Sequence, residues 1–474
     1  MNKQAANEED KYSTKPDSST SLTTAKRYKV ALSVPSLRNP RRRAELGMLI
    51  LQTIIFGLIY VLSQTGLTGK IPVHIPRSTI WLAVLPYLCH LGLQLLAPDA
   101  DPAPLPLISF LNGFGYVMIL RLDPQEAALQ ALWSAVGVVG FLLTLVIVQR
   151  VTLLDRYRYL MMLFAIMLVL LPLAPVIGEN INGARLWVRF GPLSFQPIEI
   201  AKLMLAIFFA SYMVEKREVL AQFSPFKFKR ASVAIRAAGP ILLAWSISLL
   251  VMTAERDVGF SLLIFLIFVI AIWVATSNWW YLVFGSGLFV VGAFVAARLF
   301  GQVNERITVW LDPWKYSQTI GYQIVQALYA FGSGGFSGVG LGRGHPGLIP
   351  VVTSDFIFAA IGEETGLLGT TAILFCFALL VGFGLRVSKR APDQFSAMTA
   401  TVLTLTFGLQ AFFIMAGVTK LLPLTGVTLP FVAYGGSSLV ANYVLFALLL
   451  RISSESKRQN RYTKKVETRT PPTA

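Results

Sequence analysis

The chain has 474 residues, of which 55% are hydrophobic and only 14% charged, and 41 Lys and Arg against 24 Asp and Glu leave a formal net charge of +17. A soluble domain carries nearer a quarter charged residues, and here the apolar residues stand in long blocks, which excludes a water-soluble globular fold. The basic residues gather at the chain ends and in a few loops between those blocks, a topology signal rather than the footprint of a nucleic-acid partner.

A helix needs about 20 apolar residues to cross the hydrocarbon core. Lipid offers no partner for a free backbone group, so helices or closed barrels are the choices. A barrel would show alternating segments of about 10 residues, and the blocks do not alternate. The composition therefore predicts an all-α, polytopic membrane bundle.

Residues 1–44 are polar, rich in Ser, Thr, Lys and Arg, and read as a disordered cytoplasmic tail. Twelve spans follow, near 45–64, 79–97, 105–121, 127–148, 159–177, 198–214, 237–253, 258–275, 279–299, 356–385, 398–418 and 429–450. The third is short and holds Gly113 and Gly115. The membrane domain is thus 45–452, and 453–474 forms a second basic cytoplasmic tail. With twelve spans, Arg41 to Arg43, Arg156 and Arg158, Lys216 to Arg236, Arg386 to Arg390 and the final tail all fall on one face. That places both termini in the cytoplasm. Cys89 and Cys376 lie inside apolar runs and suggest no disulfide. His74, His90 and His345 are too scattered for a zinc site.

The opposite, outer face then carries three loops: 178–197, the turn 254–257 and the long stretch 300–355. The last is rich in Gly and aromatics, including Trp310, Trp314 and Tyr322, and is expected to hold amphipathic segments at the interface. Asp355 stands where this loop enters span ten. Two readings compete: an N-cap of that helix, or a carboxylate at the mouth of the bundle acting as a general base. Glu363 and Glu364 point about 80° and 180° away from Asp355 on a helix and read as structural. Glu199 and Lys202, at i and i+3, suit either an ion pair or a site. Glu255, Arg256 and Asp257 form a charged turn. Together with Arg185 and Arg189, these groups converge on one face, where cations suit a phosphate head group. The glycines from Gly332 to Gly344 allow tight turns; they lack the Lys-Ser or Lys-Thr ending of a nucleotide loop.

Several stretches together resemble one family. They are Gly183-Ala184-Arg185-Leu186-Trp187, Gln196 to Lys202, Glu255 to Gly259, and Gly321-Tyr322-Gln323. Gly340-Leu341-Gly342, Ser354 to Phe358 with Glu363-Glu364, and Leu429 to Ser438 complete the set. This ordered combination is similar to the SEDS family, the shape, elongation, division and sporulation proteins RodA, FtsW and SpoVE. The two extra N-terminal spans and the basic tail look most like its actinobacterial RodA branch. Ile198 stands where the family usually has Ser or Ala, Arg256 where Pro is usual, and Thr353-Ser354 where a His-Thr pair often precedes the aspartate.

The resemblance implies a peptidoglycan glycosyltransferase that polymerises lipid II at the outer membrane face, partnered by a class B penicillin-binding protein. It implies Asp355 as the catalytic residue. Arg185, Trp187, Glu199, Lys202, Glu255, Asp257, Arg306, Gln323 and Ser437 are the expected substrate contacts. Arg185, Lys202, Arg306 or a divalent cation (Mg or Mn) would stabilise the departing pyrophosphate. A lipid II flippase and a non-catalytic scaffold for a transpeptidase are the rival expectations.

Overall fold

In the computed structural model the described residues are 39–174, 178–181, 184–190, 193–224, 227–240, 242–243, 246 and 258–467. Thirteen helices of eleven residues or more organise them. They are α1 (Pro40–Thr68), α2 (Arg77–Leu96), α3 (Pro104–Leu122), α4 (Pro124–Ile147), α5 (Arg158–Leu170) and α6 (Ile198–Glu215). Then come α7 (Val258–Thr276), α8 (Trp280–Leu299), α9 (Gly301–Leu311), α10 (Tyr322–Gly334), α11 (Ile357–Arg390), α12 (Gln394–Val418) and α13 (Gly436–Glu467). Nine of the described helices are long and apolar enough to cross a membrane. A multi-pass helical membrane fold follows.

Local chemistry sets the helix ends. Asn39 and Asp123 cap α1 and α4, each followed by Pro at the first helical position. Asp393 caps α12, its carboxylate accepting from Ser396 N–H at 2.8 Å. Each cap answers an amide that has no partner within its helix.

Packing sorts the helices into inner and outer. α13 lies along α4, α11 beside α12, α5 against α6, and α1 against α3. α3 is among the most enclosed, 78% of its apolar window being buried, and a Cβ at Gly115 would overlap the backbone of Val432. The glycines that shortened the apolar run are what let α3 reach the centre. α8 is the opposite, with 6% of its window buried and Phe284, Val290 and Phe294 facing outward, as a lipid-facing helix requires.

Several elements depart from the expected spans. α5 ends at Leu170, with a 3-10 turn to Leu173, because Pro172 cannot continue the hydrogen-bond ladder. Most of the seventh expected span lies outside the described residues. The outer segment 178–195 forms an antiparallel meander, β1 (Gly178–Ile181), β2 (Ala184–Phe190) and β3 (Leu193–Phe195), so the described residues are helical with one small sheet. α13 starts at Gly436, seven residues after the expected start, and runs unbroken to Glu467, past the 452 boundary. The 300–355 stretch holds α9 and α10.

Candidate active site

α9 begins the site. Arg306, Val309 and Trp310, at i, i+3 and i+4, share one face of that helix and line a cleft of about 480 Å³. The first turn of α10 adds Tyr322 and Gln323, the last turn of α12 adds Gly417, and the α12–α13 connection adds Lys420 and Leu424. Asp355 closes it, in the turn before α11. Trp310 Nε1 donates to Lys420 O at 3.2 Å and Arg306 Nη1 to Thr425 O at 3.1 Å, so α9 is tied to the far wall.

Asp355 does not cap α11. That helix is preceded by Phe356, with no side-chain cap, so the carboxylate is free of the first-turn amides. The turn holding it is fixed by its backbone: Asp355 N–H donates to Val351 O at 3.2 Å and Tyr434 N–H to Thr353 O at 2.8 Å. Burial raises the Asp355 carboxyl above the usual aspartate range, while the Ser354 hydroxyl and the Arg306 guanidinium pull it back less strongly. A carboxylate with that balance is a stronger base than one in water. Gly426 lies between the two charged groups; a Cβ there would sit 3.3 Å from Arg306 Nη2 and 3.9 Å from Asp355 Oδ2.

Glu199, Lys202 and Ser437 lie elsewhere, in a buried polar cluster where α6, α12 and α13 meet. Glu199 and Lys202 pair with each other at 1–2% exposure. Lys202 Nζ donates to Gln410 Oε1 at 2.6 Å, and Gln410 Nε2 donates to Thr428 O at 3.0 Å. Ser437 Oγ accepts from Gln196 N–H at 2.7 Å. The segment 425–428 is therefore shared: one end accepts from Arg306 in the cleft, the other from Gln410 in the cluster. Trp187 is on β2, half-buried and in register with Glu179. Arg185 belongs to β2 by its backbone, with its side chain outside the described set. Glu255 and Asp257 lie outside the described residues.

Of the expected contacts, Arg306 and Gln323 join Asp355 in the cleft. Glu305, Trp310 and Lys420 also line it and were not anticipated. Lys420 was traceable as a lone cation in an apolar connector immediately after span eleven. Among the described residues no three His, Cys, Asp or Glu side chains gather as a metal site. The cleft offers two carboxylates, Glu305 and Asp355, a donor set that suits a magnesium-type ion keeping its waters and taking its other ligands from substrate phosphates.

Known proteins place this architecture. A family model for the FtsW, RodA and SpoVE group, described as cell cycle protein, matches residues 108–458. The peptidoglycan glycosyltransferase RodA of Mycobacterium tuberculosis is 37% identical over 448 residues, covering 92% of this chain and 95% of that protein. RodA of Mycobacterium leprae is 40% identical over 378 residues, 78% of this chain and 81% of that one. Stage V sporulation protein E of Bacillus subtilis is 34% identical over 301 residues, 63% of this chain and 79% of that one. A chain solved within a peptidoglycan synthase complex superposes with a TM-score of 0.61 at 23% identity, covering 75% of this chain and 98% of that one. The rod shape determining protein RodA of Thermus thermophilus gives 0.52 at 24% identity, covering 75% and 97%. Those two structures speak to the fold, and the family match and sequence identities to descent. On that evidence the chain belongs to the FtsW/RodA/SpoVE family.

Proposed function

We propose that the chain is a peptidoglycan glycosyltransferase that joins lipid II units into glycan strands at the outer face of the cell membrane. The observation that carries this reading is Asp355: a carboxylate of raised basicity, without an amide cap, lining a cleft that also holds Arg306 and Lys420. Its relatives carry the name peptidoglycan glycosyltransferase, and one structural neighbour comes from a peptidoglycan synthase complex. A class B penicillin-binding protein is the proposed partner. Both termini are assigned to the cytoplasm from the Lys and Arg pattern, since Asp355 precedes α11 and Arg386, Lys389 and Arg390 end it.

The step is a single inverting displacement. Asp355 takes the proton of the acceptor sugar's 4-hydroxyl as that oxygen bonds to the donor's anomeric carbon. The bond from that carbon to the undecaprenyl pyrophosphate breaks, and the leaving group departs with the electron pair. Inversion needs one base and no carboxylate nucleophile. Arg306 and Lys420 supply positive charge toward the departing pyrophosphate, where fixed cations gain most. Glu199 and Lys202 support the far wall through Gln410 and Thr428, and Ser437 holds the Gln196 amide at the start of α6, so these groups hold the cleft's surroundings instead of touching the sugar. Mg or Mn enters this proposal only as a companion of the pyrophosphate substrate, and no step runs through a resident ion.

The deciding experiment uses purified full-length protein, its penicillin-binding partner and lipid II in detergent. Polymer formation that vanishes with Asp355→Ala, in a variant that remains folded, supports the assignment. A flippase or a scaffold makes no polymer there, because detergent has no leaflets to cross.

A further inference from the structure

The end of α11 opposite Asp355 borders a second cavity, of about 320 Å³. The first turn of α1, the last turns of α11 and the C-terminal half of α13 wall it with Arg41, Arg386, Arg390, Lys457 and Arg461 against one carboxylate, Asp101. Two of these cations are already answered. Lys457 Nζ lies 3.6 Å from Asp101 and Arg461 Nη1 2.7 Å from Asp99. Arg386 and Arg390 make no ion pair with any described residue. Nη1 of Arg41 is buried with no hydrogen-bond partner. A buried donor left unanswered is costly, and crowded guanidinium groups repel one another until an anion joins them. Planar forks of this kind suit the oxygens of a phosphate.

The source of that phosphate is written on α11. Arg386 and Arg390 are one turn apart on one face of the helix. Two and three turns earlier on the same face stand Leu379 and Phe375, 43% and 62% exposed. The cavity's own floor includes buried Phe383 and Val387. An exposed apolar stripe leading up to a pair of unanswered cations is complementary to an amphiphile, with acyl chain along the helix and phosphate among the guanidinium groups. A free phosphate would use the cations and ignore the stripe.

We propose that this cavity binds the phosphate headgroup of an anionic membrane phospholipid, held by Arg386, Arg390 and Arg41. The inference does not depend on the polymerase reading. Basic pockets between helices at the cytoplasmic side are suited to such headgroups, each cation adding attraction.

The test is native mass spectrometry of the full-length protein in detergent micelles doped with phosphatidylglycerol or phosphatidylcholine. Wild type should retain phosphatidylglycerol at collision energies that strip phosphatidylcholine. The double variant Arg386→Gln, Arg390→Gln should bind phosphatidylglycerol roughly 30-fold more weakly, from the loss of two cations at the headgroup. Arg386→Lys with Arg390→Lys should keep most of the affinity, and Arg298→Gln, on α8, all of it. Equal retention of the two lipids by wild type would overturn the proposal, and that comparison stands even if the double variant does not fold. Unchanged binding in a folded double variant would overturn it as well. Displacement of the lipid by inorganic phosphate at similar concentration would assign the site to a free anion and overturn the lipid assignment.

Discussion

Two groups of carboxylates sit within one short stretch around the start of α11, and they have opposite fates. Asp355, in the turn before the helix, lines the cleft with no ion pair to any described residue and no helix cap. Glu363 and Glu364 are consumed by structure. Glu364 Oε1 lies 2.7 Å from Arg121 Nε, Glu364 Oε2 accepts from Gly342 N–H at 2.9 Å, and Glu363 Oε1 accepts from His345 N–H at 2.8 Å. The backbone joins in, because α11 breaks at Gly366, whose φ of 64° and ψ of −161° no helix adopts. Around that break Val339 and Gly340 N–H donate to the carbonyls of Glu363 and Glu364, and Leu367 and Leu368 N–H to those of Gly335 and Phe336. A Cβ at Gly338, itself at φ 82°, would overlap the carbonyl of Glu364. The glycine-rich run is thus a backbone splint for a broken membrane helix. A buried charge whose partners are all protein is architecture; one left facing a cavity is available for chemistry.

The comparison breaks most directly at Asp355. Asp355→Asn should lower polymerisation by roughly 10²–10⁴-fold, the usual contribution of a general base, as read by glycan product on gels. It should not lower stability; removing a half-buried charge should raise it, on the order of 1 kcal/mol. The sign follows from the raised pKa: burial penalises the ionised form, so the gain is full at pH above the raised Asp355 value, fades as pH falls through it, and is gone below the ordinary aspartate range. Retained polymer in this variant would place Asp355 with the architectural carboxylates.

Glu364→Gln should do the reverse. It leaves Arg121 buried without its anion, a loss of roughly 3–5 kcal/mol, seen as a lower Tm and poor monodisperse yield. A variant of normal Tm with lost activity would blur the division between the two groups. Arg306→Gln should cost about 10²-fold in kcat with little change in Tm, in line with removal of one charge-stabilising donor.

A finer effect is on pH. Activity should rise with pH as Asp355 ionises, with a midpoint above the ordinary aspartate value. Arg306→Gln should move that limb to still higher pH, because the guanidinium favours the carboxylate. A limb that stays in place would detach Arg306 from Asp355. The smallest effect is expected at Gln323→Ala, a few-fold change in KM with kcat held, because this side chain lines the cleft and carries no charge.

Much of the fold was legible in the chain. α1 to α4, α7, α8 and α12 follow from apolar runs bounded by Pro, Asp or basic residues, since hydrophobic length is a property of consecutive residues. The break at Gly366 was not, because a helix with glycine inside looks like any other until another segment arrives to take up its carbonyls. The sheet at 178–195 and the late start of α13 were missed for a related reason: short strands and the turn at Phe431, φ 64°, are stabilised by what they touch. Of the residues singled out from the chain, Asp355, Arg306 and Gln323 come together in the cleft. Lys420, some 65 residues later in the chain than Asp355, reached the cleft only through the turn that hydrogen-bonds Trp310. Glu199 and Lys202 showed both their pairing and their interest, and the buried ion pair is what the structure reports.

What the sequence by itself determined is that this protein lives in a bilayer, which way its basic loops are expected to face, and which family motifs it carries. These depend on composition and local order, and lipid enforces them segment by segment. Only the tertiary structure decided which of its charged groups spend their charge on each other and which keep it for a cleft. That outcome depends on partners hundreds of residues apart, such as Arg121 with Glu364 and Lys202 with Gln410, and the cost of an unpaired charge is set by what surrounds it.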